Sequence, residues 1–252
     1  MPAELTSVQR ERYRKHLISD MIREKGQKKL LSSKALIIGL GGLGSPAALY
    51  LASCGVGTIG IVDSDDLELS NLHRQVLYST GDIGKPKTSM AEKRLKEMNP
   101  DIDIRATKAR VAADNAKDML KDYDVILDCT DNFETKYLIN DTCVSLGKAL
   151  VHGGIYAFDG QATFILPGRG PCYRCIFPEL PGPEAFRNCQ QAGILGSAPA
   201  VIGSVQANEA LKYLLGIGKN LVGRLLRYDA LTGEIRISEY KKNEKCPVCG
   251  GK

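Results

Sequence analysis

Hydrophobic and polar positions follow two alternating registers along the chain. Short apolar runs at Ala35-Leu36-Ile37-Ile38, Thr58 to Val62, Asp101 to Ala106 and Asp124 to Asp128 read as strands. Between them, apolar positions recur at helical spacing over 44–54, Pro86 to Met98, 113–121 and 132–146, and two amphipathic stretches occupy about 7–31. This β-α-β alternation with short connections predicts a Rossmann-like, doubly wound, mostly parallel sheet with right-handed crossovers. After residue 150 the pattern changes. LVHGGIYAFDGQATFILP reads as two strands turning at Asp159-Gly160, and RLLRYDALTGEIRISEY as two more turning at Thr232-Gly233. A Pro/Gly-rich stretch over 167–200 and an apolar helix over about 200–215 lie between these pairs. The expected organisation is one domain over 1–252, with a helical segment (1–31), a nucleotide-binding half (32–150) and an antiparallel extension (151–252).

Composition narrows the class. A chain of 252 residues that is 43% hydrophobic buries a large core. Its apolar stretches are all interrupted before membrane-spanning length, and MPAELTSVQRERYRK lacks the apolar segment of a secretory signal. The expectation is a cytoplasmic protein. The formal charge of +5 comes from residues 1–34, which hold nine Lys/Arg against four acids. Such a run suits a solvated helix face, or a cation offered to a phosphate across a subunit boundary. Without interleaved aromatics or a recognition-helix pattern, it does not point to nucleic acid.

The chemistry concentrates at expected strand ends. Gly39-x-Gly41-Gly42-x-Gly44 succeeds the first strand, and Asp63 closes the second, the pattern of a dinucleotide-binding βαβ unit. Glycines admit a phosphate or ribose close to the backbone, and the acid accepts from ribose hydroxyls. The same glycines would also serve plain helix–sheet packing. The residues beyond Asp63 suit a triphosphate better than a pyrophosphate bridge. Asn71 and Arg74 lie in the loop after the second strand, and Lys87 opens the next helix. An Arg fork and a Lys point charge answer the extra phosphate charge. Asp131, in DCTDN, reads either as a helix cap paired with Glu134 or as a Mg²⁺ ligand, with Asn132 beside it.

Cys172-x-x-Cys175 and Cys246-x-x-Cys249 supply four soft ligands for a closed, structural Zn²⁺ site. Redox dithiols and disulfides are the alternatives, disfavoured in a cytosolic chain without a thioredoxin-like helix. Cys54, Cys129 and Cys143 fall on apolar faces as core residues, whereas Cys189 sits in a polar loop as a candidate accessible thiol. His16, His73 and His152 form no legible triad.

In order along the chain, RYRKHL (12–17), GLGGLGSP (39–46), VDSDDLELSNLHRQ (62–75), GKPK (84–87), DCTDN (128–132), PCYRC (ending at Cys175), GSVQANEALK (203–212) and CPVCG (246–250) resemble the MoeB/ThiF/HesA branch of the ubiquitin-activating superfamily. Its molybdopterin-synthase adenylyltransferases are the nearest in pattern. The resemblance implies adenylation, with ATP and Mg²⁺, of the C-terminal glycine of a small ubiquitin-like sulfur carrier ending in Gly-Gly. It implies Gly41 and Asp63 at the adenosine, Asn71, Arg74 and Lys87 at the phosphates, Asp131 on magnesium and the four cysteines on zinc. It also implies a homodimer, for which the apolar 200–215 helix offers an interface element, and admits a sulfurtransferase or cysteine desulfurase as a further partner. No rhodanese-type domain is expected. In relatives an Arg near the N-terminus reaches the triphosphate of the other subunit; here that position is Lys15, with Arg14 displaced by one. Cys189 is the candidate for a covalent link to the carrier. A nicotinamide-dependent oxidoreductase and a non-catalytic nucleotide-binding scaffold are the rival readings.

Overall fold

The computed structural model describes residues 4–182 and 193–251. In chain order the elements are α1 (Ser7–Arg12), α2 (Arg14–Leu17), α3 (Arg23–Ser32), β1 (Lys34–Ile38), α4 (Gly44–Ser53), β2 (Thr58–Asp63), α5 (Lys87–Met98), β3 (Asp103–Lys108), α6 (Ala116–Leu120), β4 (Val125–Asp128), α7 (Phe133–Leu146), β5 (Ala149–Tyr156), β6 (Asp159–Ile165), α8 (Tyr173–Ile176), α9 (Ala198–Leu215), β7 (Arg224–Asp229) and β8 (Ile235–Glu239). All eight strands form one sheet in the order β3-β2-β1-β4-β5-β6-β7-β8. The first five positions pair in parallel and the last three antiparallel. Among the described residues no helix is long and apolar enough to cross a membrane.

Alternation along the strands feeds two cores. From β1, Ala35 and Ile37 join the face covered by α3, α4, α5 and α9, while Leu36 and Ile38 join the face covered by α6 and α7. Strands buried on both faces read as the continuous apolar runs seen in the sequence. The helix expected at 200–215 starts at Ala198 and belongs to the first core, where Ile202, Ala207, Ala210 and Leu214 are buried. Much of its apolar character is taken up by packing within the chain.

Several expected boundaries move. β3 begins two residues late because Asn99, Pro100 and Asp101 turn first, with the Asp101 amide donating to Asn99 Oδ1 at 3.3 Å. The first hairpin turns at Ala157-Phe158 rather than Asp159-Gly160, since Tyr156 pairs with Asp159 and Ala157 takes the positive φ of 52°. The α7 cap is Asn132, whose side chain accepts from the Thr135 amide, so Asp131 is released from the capping role.

The sheet order places the functional region. The chain winds outward from β1 through β2 to β3, and from β4 to β5 in the opposite direction. The crevice between the ends of β1 and β4 is therefore the topological switch point, where open α/β sheets bind ligands.

Candidate nucleotide site and thiol cluster

A cavity of about 1120 Å³ opens at this switch point. It brings together Gly39, Gly41, Gly42, Asp63, Asn71, Arg74, Lys87 and Asp131 from separate segments of chain. Two expected residues are not in its wall. Gly44 is a packing glycine, because a Cβ there would lie 1.9 Å from the Gly39 carbonyl oxygen. Asn132 spends its side-chain oxygen on the α7 cap.

The glycine loop is shaped by close approach. Gly39 has φ +90°, and a Cβ on it would come 2.7 Å from the Cys129 carbonyl oxygen, so the β1 and β4 ends meet only over glycine. At Gly41 a Cβ would meet nothing nearer than Gln75 Nε2 at 3.6 Å, leaving the loop's cavity side open. Asp63 fixes the loop: Leu40 N donates to Oδ2 at 2.7 Å and Asp65 N to Oδ1 at 2.9 Å. Each oxygen keeps a lone pair for a further donor.

The cations are prepared differently. Arg74 donates through Nη1 to the Ser70 carbonyl at 2.9 Å, leaving Nε and Nη2 without partners among the described residues. Lys87 is buried and donates to Asp65 Oδ2 at 2.8 Å, which holds the Asp65 carboxyl below its usual range. Asn71 accepts the Glu68 amide through Oδ1 at 3.1 Å. Asp131 is exposed at the cavity edge, and its carboxylate has no ion pair or hydrogen bond among the described residues. It is thus free to ligate a hard cation. Arg14 and Lys15, on the exposed side of α2, do not line the cavity of their own chain. Cys189 lies outside the described residues.

Sequence reasoning did not place Asp65, Gln75, Lys136, Tyr173 or Arg227 in the site, yet all five line the cavity. Asp65 is the Lys87 partner. Gln75 is buried against the glycine loop with Oε1 lacking any hydrogen-bond partner. Lys136 and Tyr173 line the side formed by β5 and β6, and Arg227 lines the rim. Lys136 belongs to a buried network: its Nζ donates to Gly153 O at 2.8 Å and lies 3.2 Å from Asp128 Oδ2, which also meets His152 Nδ1 at 2.9 Å. Burial opposes charge on Asp128, but the Lys136 charge and the His152 hydrogen bond outweigh it and hold the carboxyl well below its usual range. Burial pushes His152 down, favouring the neutral ring. The available sequence signal was a lysine on the buried face of a helix, in FETKYLIN.

The four cysteines of the paired motifs converge, their sulfurs all within 4.8 Å of one another and none in a disulfide. Sγ–Sγ separations of 4.0 Å (Cys172–Cys175), 3.6 Å (Cys172–Cys246) and 3.4 Å (Cys175–Cys249) bracket the roughly 3.8 Å edge of a tetrahedron with ~2.3 Å zinc–sulfur bonds. Burial opposes ionisation of Cys172, Cys246 and Cys249 and pushes Cys172 and Cys249 up, whereas the amides of Cys249 and Val248 draw Cys246 down toward the thiolate. The donor set fits zinc. Cys129 and Cys143 are buried as expected, and Cys54 is half-buried at the end of α4.

Residues 13–248 match the model of the ThiF family. The chain is 48% identical over 250 residues to a sulfur carrier protein adenylyltransferase of Thermus thermophilus, covering 97% of this chain and 92% of that one. It is 46% identical to a SAMP-activating enzyme E1 of Haloferax volcanii, covering 99% and 92%. Among solved structures, E. coli MccB superposes with a TM-score of 0.81 at 23% identity, over 89% of this chain and 69% of that one.

Proposed function

Since the chain belongs to the ThiF family, we propose that it is an ATP-dependent adenylyltransferase activating the C-terminal carboxylate of a small ubiquitin-like sulfur carrier. The observation that carries this reading is the convergence of Asp63, Asn71, Arg74, Lys87 and Asp131 on one cavity. The names of the relatives favour it over a nicotinamide oxidoreductase.

In this reading the glycine loop and Asp63 take the nucleoside, and Asn71, Arg74 and Lys87 take the phosphates. A carboxylate oxygen of the carrier attacks the α-phosphorus, the bond to the bridging oxygen breaks, and pyrophosphate leaves with the electron pair. The attacking group is already ionised, so no general base is needed. The work is positioning, and stabilisation of charge on the phosphoryl oxygens. Asp131 would hold Mg²⁺, which neutralises phosphate charge when bound. The cysteine cluster would hold Zn²⁺ as a closed structural site. Arg14 and Lys15 are assigned to the cavity of a second copy, consistent with their exposure and their absence from the cavity wall of their own chain.

The test is pyrophosphate–ATP exchange with each Gly-Gly-ending ubiquitin-like protein of the source genome. One carrier supports exchange, and Asp131→Ala lowers it at least about 100-fold. Undiminished exchange in the variant removes Asp131 from the site; no exchange with any carrier removes the function.

A further inference from the structure

The cavity is longer than one nucleotide needs. It runs from Asp63 at the end of β2 to Arg227 on β7, a span of five strand spacings in the sheet order, or about 24 Å at ~4.8 Å each. The residues assigned to the phosphates divide it unequally. Arg74 and Lys87 both come from the segment after β2, on one side of Asp131. On the other side, over β5, the buried cation is Lys136.

Displacement at the α-phosphorus places the attacking and leaving oxygens in line, on opposite sides of phosphorus. If Arg74 and Lys87 hold the departing pyrophosphate, the attacking carboxylate enters from the β5 side. We infer that Lys136 is the residue that receives and aims the acyl substrate's terminal carboxylate, an assignment that rests on the adenylation reading above.

The side chain is built for this. Lys136 is 6% exposed yet lines the cavity. An ammonium has three N–H donors. Gly153 O takes one at 2.8 Å, and Asp128 takes another through long contacts of 3.2 and 3.4 Å. The third has no acceptor among the described residues. Asp128 is shared: Thr130 donates to it through N at 3.1 Å and Oγ1 at 2.7 Å, and His152 meets it at 2.9 Å. The network fixes the ammonium without saturating it. A carboxylate arriving beside Gly154 and Gln161 would find a rigid, dehydrated donor whose positional entropy has already been lost. Lys136 contributes no proton to the step, which needs none.

The experiment measures equilibrium binding of the carrier that supports exchange, ending either in its native carboxylate or in a C-terminal carboxamide, with a non-hydrolysable ATP analogue present. The unmodified enzyme prefers the carboxylate roughly 10- to 100-fold, the range of a hydrogen bond to a charged group. Lys136→Met abolishes the preference and raises the carrier KM in exchange by a similar factor, while nucleotide affinity stays within about twofold. Lys136→Arg restores most of the preference. Because Lys136→Met strands a buried carboxylate, the neutral double variant Asp128→Asn/Lys136→Met is measured alongside it and shows the same loss. A purely structural role would lower stability but leave the preference intact, and that result overturns the inference. So does a variant that loses nucleotide affinity while keeping its carrier KM. If no carrier supports exchange with the unmodified enzyme, the adenylation reading fails first, and the inference with it.

Discussion

Lys87 and Asp65 show how, under the adenylation reading, a single contact would set the terms of phosphate binding. The Lys87 side chain is 6% exposed and its partner 63%, so the ammonium is fixed and the carboxylate is the mobile half. A triphosphate approaching Lys87 must compete with that carboxylate and is repelled by it. Asp65→Asn is therefore expected to lower the ATP KM about two- to fivefold at low salt, with the gain fading as salt screens the site. Exchange kinetics at two ionic strengths check this; a raised KM would mean that the carboxylate orients Lys87 productively. The pH dependence comes from the depressed Asp65 pKa. A carboxylate stabilised in the fold contributes above its unfolded pKa and loses that contribution only as pH falls through the lower folded value. The competition therefore persists as pH falls through the unfolded value of ~3.9 and is lost only below it.

At the scale of the element, the glycine loop joins β1 to α4 through two close approaches with different consequences. Gly39 needs its positive φ as well as its missing Cβ, whereas Gly44 needs only the space, since its Cβ would overlap the Gly39 carbonyl. Gly44→Ala is expected to destabilise the fold by about 1–3 kcal/mol despite alanine's better helix propensity. For a domain of this size that is a fall in Tm of roughly 2–4 °C per kcal/mol, read by thermal denaturation; an unchanged Tm would show that the loop relaxes freely. These glycines were legible because their spacing is local, as were the apolar runs of β1, β2 and β4. The misplaced details involve side chains bonding to backbone outside the hydrophobic pattern. Asn99 delays β3 by holding the Asp101 amide. Asn132 takes the cap that the spacing of Asp131 and Glu134 had offered. Lys136 was invisible for a different reason: its partners lie on β4 and β5, so its burial is a product of assembly, not of neighbours in sequence.

For the whole molecule, the thiol cluster matters because of what it touches. Tyr173, between two of the cysteines, packs its ring 4.6 Å from that of His152 and lines the cavity. Its amide donates to Asn140 Oδ1 at 2.8 Å. From Tyr137, beside it on α7, the hydroxyl donates to the carbonyls of Phe177 and Glu179, anchoring the chain that leaves α8. With zinc held there as proposed, removing it with a strong chelator should therefore loosen the β5 side of the cavity while sparing the glycine loop. Hydrogen exchange should show faster amides around 172–179 and 152–155, with 35–44 unchanged. Equal acceleration everywhere would make the cluster a global stabiliser; no change would uncouple it from the cavity. The paired motifs revealed the cluster in the sequence, but not its link through Tyr173 to the buried network of Asp128, Lys136 and His152.

The sulfurs that meet are 74 positions apart. On a ribosome, the strands β1, β2 and β4 beside the cavity emerge long before Cys246 and Cys249. The wall bearing Tyr173, already tied to Asn140 and Tyr137, gains its last tie only after those thiols have left the exit tunnel and found their mates. A nascent chain stalled short of them would carry a purse with its far side missing one latch.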